Sequence, residues 1–426
     1  RLPGQAVGRR VRALSADTFE TRIGRIHDAI ALRKPDRVPL FPTYHLFPAR
    51  YVGMTYEEAF YDQDRWLAAN EKVILDHDPD LYFQPTGAIA ASGPAHEALD
   101  NRQIKWPGHG VAAHRTFQFI EGEYMTADEY DAFLADPSDW TVRTYLPRIY
   151  GNLQGLGMLP PLSTMLVGYV GSGITGVLAI PPVAAAFDAL RQAAEVSIRW
   201  TMGYARFEQE MKAKGYPAFA TAVALAPYDL ISDMLRGMRG TMKDMYRCPD
   251  KLIAAMERVL PLQIGGAIGQ AHMSGNPRIF IPLHRGADGF MSDEQFEKFY
   301  WPTLKGLILA LIDAGLVPCP FWEGGYNQRL QYLKELPPGK VLGVFDRSDL
   351  VKVKEVLGGT MCIAGGMPIS LLQAGTPQKV RDETKRVIET IGCDGGFIMS
   401  TSSVLDEADP VLVQAWADAT REFGDY

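Results

Sequence analysis

RIFIPLHRGADGFMSDEQFEKFYWPTLKGLILALIDAGLVPCPFWEGG, residues 278–325, holds one full turn of the pattern that decides the fold. It opens with a six-residue apolar run (278–283) that ends in a polar loop. Ser292, with Gln295 three residues on, then makes a capping box. Phe296, Phe299, Tyr300, Leu304, Leu307, Ile308 and Leu311 follow at helical spacing. Pro302 is expected to kink this helix. A second apolar run begins at Leu316, so the unit reads strand, helix, strand.

The same alternation continues to the C-terminus. A helix is expected over 326–334, then a strand VLGVF (341–345), a helix over 349–357 and a strand TMCIA (360–364). Thr376 and Pro377 open the next helix by the N-cap and N1 rule, and Gly392 closes it. GFIM (396–399) is a strand, and Asp409-Pro410 starts the last helix. In the first half VPLFP (38–42), followed by a helix over 56–76, DLYFQ (80–84) and AFATAVA (218–224) supply three more strands. Short apolar strands separated by helices imply a parallel sheet buried on both faces. Eight such units close into a single (β/α)8 TIM barrel. A doubly wound open sheet is the rival. The segment 106–217 is longer than one unit needs, so an elaborated insertion is expected in the first half. Residues 174–186 read as a buried strand or loop. Residues 1–18 are expected to be a flexible arm, leaving 19–426 as the barrel domain.

With 426 residues, 47% of them hydrophobic, the chain can bury a large core. The net charge of -7 weighs against a nucleic-acid partner but leaves room for a small anion held by local arginines. Apolar stretches fall short of the roughly 18 residues that span a bilayer. The basic start (Arg9, Arg10, Arg12) runs into polar residues rather than a leader's apolar segment. Four cysteines (Cys248, Cys319, Cys362, Cys393) make no disulfide framework and suit a reduced, cytoplasmic protein.

Barrel sites gather just beyond the strands. The polar residues there are Tyr44 and His45, Gln84, His284, Arg285 and Asp288, Glu323, Asp346, Arg347 and Asp349, and Ser400–Ser403. His284 reads as a general acid or base, or a metal ligand; the plainer alternative is a histidine that holds its loop. Glu323, between Trp322 and two glycines, should lose water and gain proton affinity, which suits proton transfer. It could instead bind a metal or stabilise a helix N-terminus. Asp346 is the third catalytic candidate, whereas Asp349 reads as an N-cap. Arg285 would hold a carboxylate or phosphate, or pair with Asp288 or Glu323. Cys362, inside a strand, is a core thiol first and a metal ligand second. Cys319 sits nearer its strand end. Tyr44, Phe47, Phe83, Phe321, Trp322 and Tyr326 suit a flat, apolar substrate moiety. GYVGSGITG (168–176) lacks the spacing of a phosphate cradle and reads as a loop at the pocket mouth.

Several blocks resemble the uroporphyrinogen decarboxylase superfamily, from about residue 25 to the C-terminus. They are RIHDAIALRKPDRVPLFP (25–42), APYDLISDMLRGMRGTMKDMYRCPDKL (226–252), LHRGADGFMSDEQFEKFYWP (283–302), IAGGMPISLLQAGTPQKV (363–380) and GGFIMSTSSVLDEADP (395–410). The resemblance implies a TIM barrel, a homodimer, and one of two chemistries. One is cofactor-free decarboxylation of porphyrinogens. The other is methyl transfer by zinc enzymes that work with corrinoid proteins. Of the decarboxylases' arginine-rich stretch only Arg50 and Tyr51 remain. Gln84 stands near their catalytic aspartate, and Ser402 or Ser403 near their late histidine. A substrate with eight carboxylates needs several arginine forks, which argues against a porphyrinogen here. Where the zinc enzymes carry His-x-Cys-Gly, this chain has Phe321 and Glu323. Ser402 stands near their second cysteine, so the usual thiolate site is absent, and a harder site of Glu323, His284 and other oxygen or nitrogen donors is the form a metal centre would take.

The leading expectation is a corrinoid-linked methyltransferase or demethylase acting on a small methylated, aromatic or apolar substrate. The catalytic residues would be His284, Glu323 and Asp346. Tyr44, His45, Arg50, Gln84, Arg285, Phe321, Trp322, Tyr326 and Ser402 would line the substrate site. The alternative is a decarboxylase or lyase without a cofactor. A non-catalytic tetrapyrrole binder is the third reading.

Overall fold

The computed structural model describes residues 17–87, 92–166 and 176–426. The main strands are β1 (Leu40–Phe41), β5 (Ala222–Val223), β6 (Arg278–Leu283), β7 (Val317–Trp322), β8 (Leu342–Phe345), β9 (Cys362–Met367) and β10 (Phe397–Thr401). They form one seven-stranded sheet, ordered β1-β10-β9-β8-β7-β6-β5, with every pair parallel. Between β1 and β5 in the chain, β2 (Ile104–Pro107), β3 (Gly110–Val111) and β4 (Gln118–Phe119) make a separate small sheet. The expected strand at 80–84 is represented by one parallel bridge, Tyr82 to Ala218, and by Asp80 and Leu81 donating to the Leu40 carbonyl.

Strand side chains alternate between two cores, as a period of two requires. Phe280, Cys319, Phe321, Leu342, Val344, Cys362, Ala364 and Ile398 meet inside the curved sheet, with Phe41, Leu81, Phe83 and Phe219. Their neighbours in sequence, Ile279, Ile281, Leu283, Trp322, Phe345, Ile363, Phe397 and Met399, point the other way and pack against helices.

Helix caps fall where local sequence puts them. Ser292 and Gln295 form the capping box, and Thr376, Asp349 and Asp409 cap the helices Pro377–Val387, Leu350–Leu357 and Pro410–Phe423. The disturbance expected at Pro302 takes the form of a π-helical turn over Phe296–Tyr300, after which Pro302 lies in the first turn of Trp301–Asp313. The helix expected over 56–76 is split by Asp62 into Tyr56–Tyr61 and Gln63–His77. That expected over 326–334 shrinks to Leu330–Leu333.

Two expectations need correction. The described part of 174–186 is neither strand nor loop at its end, since Pro181 opens the 33-residue helix Pro181–Ala213. Helix Pro249–Ser274 is long and apolar enough by composition to cross a bilayer, which reading short apolar runs alone overlooked. Here Leu252, Ala255, Met256, Val259, Ala267 and Ala271 on its buried face belong to the main core. Residues 168–175 of the glycine-rich stretch and residues 1–16 of the expected arm lie outside the described residues. Asp17 pairs with Arg25 and Arg37, and Thr18 caps helix Phe19–Ile30.

One buried ion cluster ties that helix to the sheet. Asp80, with no exposed side-chain surface, takes Arg25 at 2.5 Å, Arg37 at 2.7 Å and the Leu40 N–H at 2.9 Å. Removing the carboxylate leaves the largely buried Arg25 and Arg37 with only the more exposed Asp17 and Asp36 as partners. Asp80→Ala is therefore expected to lower unfolding free energy by about 3–5 kcal/mol, read as a fall in the urea midpoint.

Candidate active site

The inward phase of the strand alternation continues into the loops. Phe280 and Pro282 lead to His284, Cys319 and Phe321 to Glu323, and Leu342 and Val344 to Asp346. Pro282 pairs with Phe321, and Phe321 with Val344. His284, Glu323 and Asp346 therefore stand in one layer directly above the apolar interior. His284 Nε2 lies 3.8 Å from Glu323 Oε2. Both residues, with Asp346, Arg285 and Arg347, line a cleft of about 620 Å³ whose other walls include Phe117, Phe119 and Phe290.

His284 is held from behind by two acids that the sequence reading did not single out. Its Nδ1 donates to Asp233 at 2.5 Å, and its backbone N–H donates to Asp229 at 2.9 Å. Asp229 is fully buried and also takes the Arg285 N–H and the Tyr300 hydroxyl, at 3.1 and 2.7 Å. The two aspartates are four residues apart, and Asp233 sits in a π-helical segment, Leu230–Arg236, whose wide turn stacks them toward the strand end. That i, i+4 spacing in APYDLISD was the available signal.

The electrostatics follow. Burial alone would lower the His284 pKa, but the Asp233 hydrogen bond and the charges of Asp229, Asp233 and Glu323 raise it to about 9. The imidazole is thus an imidazolium at neutral pH. Burial and the neighbouring Asp233 raise Asp229 to about 6. Loss of water within the cleft raises Glu323, although about half of its side chain (51%) is exposed; His284 opposes the shift and Asp346 and Asp233 add to it. Burial likewise raises Asp346, against the pull of the Gly324 N–H at 3.0 Å. Gly324 adopts φ +84°, the conformation that turns this N–H toward Asp346.

A second cleft of about 740 Å³ adjoins the first across Glu323, Asp346 and Arg347. Ser402 and Ser403 line it, and the Ser402 hydroxyl accepts the Ile369 N–H at 3.4 Å.

Other candidates lie elsewhere. Trp322 and Tyr326 have no exposed surface, because residue 322 falls on the outward phase of β7 and the two rings pack on each other at 5.0 Å. Tyr44 is buried with its hydroxyl on His77 at 2.7 Å. His45 pairs with Asp406 at 2.5 Å and is not in the cleft lining, although its ring lies 6.1 Å from that of Phe117, one of the cleft walls. Arg50 is exposed on helix Phe47–Val52 and lines neither cleft. The Gln84 carboxamide accepts the Ala220 N–H at 3.4 Å, also outside both clefts. Phe321 belongs to the apolar cluster beneath the site. Arg285 pairs with Asp233 and Glu121 rather than with Asp288 or Glu323. Ser400 is buried in β10.

The residues present do not make a zinc site. Among the described residues no group of three or more His, Cys, Asp or Glu is placed to hold a metal. His284 and Glu323 offer two donors where a catalytic zinc takes three protein ligands. Cys362 is sealed in the apolar interior, where burial drives its thiol pKa upward, and Cys319 beside it is pushed up to about 12.

The model of one family, uroporphyrinogen decarboxylase (URO-D), matches residues 170–423, more than half of the chain and all of the segments that build this site except residues 117–121. The chain belongs to that family. Among solved structures, a methyltransferase from Methanosarcina mazei is similar, with a TM-score of 0.62 and 17% identity over 96% of this chain and 99% of the other. At that identity the likeness is one of fold. A B12-independent methionine synthase from a Shewanella species reaches a TM-score of 0.35 at 11% identity, over 51% of this chain and 64% of the other, too low to carry an argument. No curated protein matches the chain.

Because the folded pKa of His284 (about 9) exceeds its ordinary value of 6.5, its stabilising effect is complete below pH 6.5 and is lost as pH rises through 9. The melting temperature of the native protein is expected to fall across that window. The His284→Gln variant should lack this component, checked by thermal melts at stepped pH.

Proposed function

We propose that the protein is a corrinoid-linked methyltransferase or demethylase acting on a small methylated substrate with an apolar or aromatic body. His284 would be the acid that protonates the departing atom. The observation that carries this reading is the His284 imidazolium, clamped by Asp233 and facing Glu323 at the floor of an open, aromatic-walled cleft. Cleavage of a methyl–oxygen, –nitrogen or –sulfur bond leaves the electron pair on the heteroatom, which must gain a proton to leave readily. Nε2 of His284 is free of Asp233 and directed to that space. A reduced corrinoid, as co-substrate, would supply the nucleophile that accepts the methyl group.

The remaining side chains divide the work. Asp233 fixes the ring and stabilises its charged form, much as a triad aspartate does. Glu323, close to His284 and with raised proton affinity, can pass a proton back to it from solvent. Phe117, Phe119 and Phe290 offer apolar contact. Glu121, Asp233, Glu323 and Asp346 outnumber His284, Arg285 and Arg347 along the cleft, a balance that repels a polycarboxylate and suits a neutral methylated compound. We further infer that the sheet closes as a (β/α)8 ring, with residues 81–83 as the eighth strand. The Tyr82–Ala218 bridge and the hydrogen bonds to the Leu40 carbonyl support that closure.

One observation favours a second reading. Arg347, 84% exposed where the two clefts meet, pairs with Asp346 through Nε at 3.7 Å, so the far edge of its guanidinium can receive one substrate carboxylate. In a cofactor-free decarboxylation, carbon dioxide would leave with its bond electrons remaining on carbon, and His284 would return the proton there.

The test is a panel of methoxyarenes and methylated amines with free cob(I)alamin, following loss of its absorbance and appearance of demethylated product. Turnover is expected, and His284→Gln should lower kcat by roughly 10²–10⁴. Full activity in that variant would remove His284 from the chemistry. Carbon dioxide release from a carboxylated substrate, with no corrinoid present, would establish the second reading instead.

A further inference from the structure

Helix Gly237–Arg247 begins at the wall of the catalytic cleft, entered through Gly237 at φ +68°. Met238 Sδ lies 3.7 Å from Arg285 Nη1, and the Met238 N–H donates to Glu121, a residue of the cleft itself. Helical spacing sorts the outer residues into two neighbouring rows. Arg239, Lys243 and Arg247 form one, all exposed. Met238, Met242 and Tyr246 form the other, with Met242 37% and Tyr246 78% exposed.

The charge of the first row is uncompensated. The nearby carboxylates are taken: Glu123 and Asp244 by Arg236, and Glu121 and Asp233 by Arg285. Among the described residues Arg239, Lys243 and Arg247 have no ion-pair partner, although they border a hollow of about 590 Å³. On a chain with net charge -7, three such cations in line form a local field of opposite sign. The Tyr246 hydroxyl accepts from Gln295 at 2.8 Å, which holds its exposed ring beside Met242 and the cations. Arginine, methionine and tyrosine are the residues enriched where proteins meet.

We propose that this face of helix Gly237–Arg247 docks an acidic protein that brings the second reactant to the His284 cleft. The inference rests on the group-transfer reading above, which needs an acceptor delivered to an open cleft. The two rows run over about 13 Å, longer than a small anion covers. Three cations are few for nucleic acid, whose binding to so acidic a chain would need many phosphate contacts. An acidic protein with an apolar patch satisfies both rows at once.

The probe is a purified corrinoid-binding domain of acidic isoelectric point, with free cob(I)alamin as the control acceptor. The charge-reversed variant R239E/K243E/R247E is expected to weaken domain binding, by titration calorimetry at low salt, by about tenfold or more. KM for the domain-borne corrinoid should rise in step, while kcat and KM with free cob(I)alamin stay within about twofold. Tyr246→Ala, which keeps every charge, should weaken docking less, and circular dichroism checks that both variants fold. Equal binding by native protein and charge-reversed variant overturns the site. So does ultracentrifugation showing that the variant only separates two copies of this chain, since the occupant would then be a second copy. Transfer to free cob(I)alamin without domain binding sinks the docking site and leaves the methyl-transfer reading. Binding lost in the variant, with no transfer to either acceptor, does the reverse.

Discussion

The register between β6, β7 and β8 is the constraint on which the rest of the molecule depends. Pro282, Phe321 and Val344 lie side by side, so the next inward position on each strand is also shared. A slip of one residue would turn His284, Glu323 and Asp346 outward and drive Leu283, Trp322 and Phe345 into the interior. The apolar cores on both sides of the sheet resist that exchange. The polar layer thus rests on Phe280, Cys319 and Phe321, and this water-poor floor raises the proton affinity of Glu323 and Asp346.

Behind that layer the Asp229–Asp233 pair does a different job. Asp229 is buried deeply enough to be costly, and the backbone N–H groups of His284 and Arg285 and the Tyr300 hydroxyl offset the cost. The loop after β6 is thereby fixed to the π-helical segment that carries Asp233. His284 has little freedom to turn, and its charged form is favoured before any ligand arrives. This is preorganisation of the kind that makes electrostatic catalysis effective.

Much of the fold was legible because it rests on local chemistry. The caps at Ser292, Asp349, Thr376 and Asp409 and the strands after residue 278 need only a few neighbouring residues to declare themselves. The site was legible in part. His284, Glu323 and Asp346 follow apolar runs, but so do Trp322 and Tyr326, and nearness in sequence was taken for nearness to the cleft. Applying the period of two to β7 would have separated Phe321 and Glu323 from Trp322. Asp229 and Asp233 sit some fifty residues before their partner, and only tertiary structure makes that pairing. The same holds for Tyr44, whose burial against His77 is decided by helix Gln63–His77, and for Cys362, whose strand turns it into the interior.

Glu323 and Asp346 form a wall with a hollow on either side. Loss of water holds both carboxylates above their ordinary proton affinity. An occupant of the serine-lined side that pairs with or shifts this wall must alter affinity on the His284 side. Thermodynamic reciprocity makes the effect equal in the opposite direction. The partition is therefore a conduit: two compartments that share one wall cannot be filled independently.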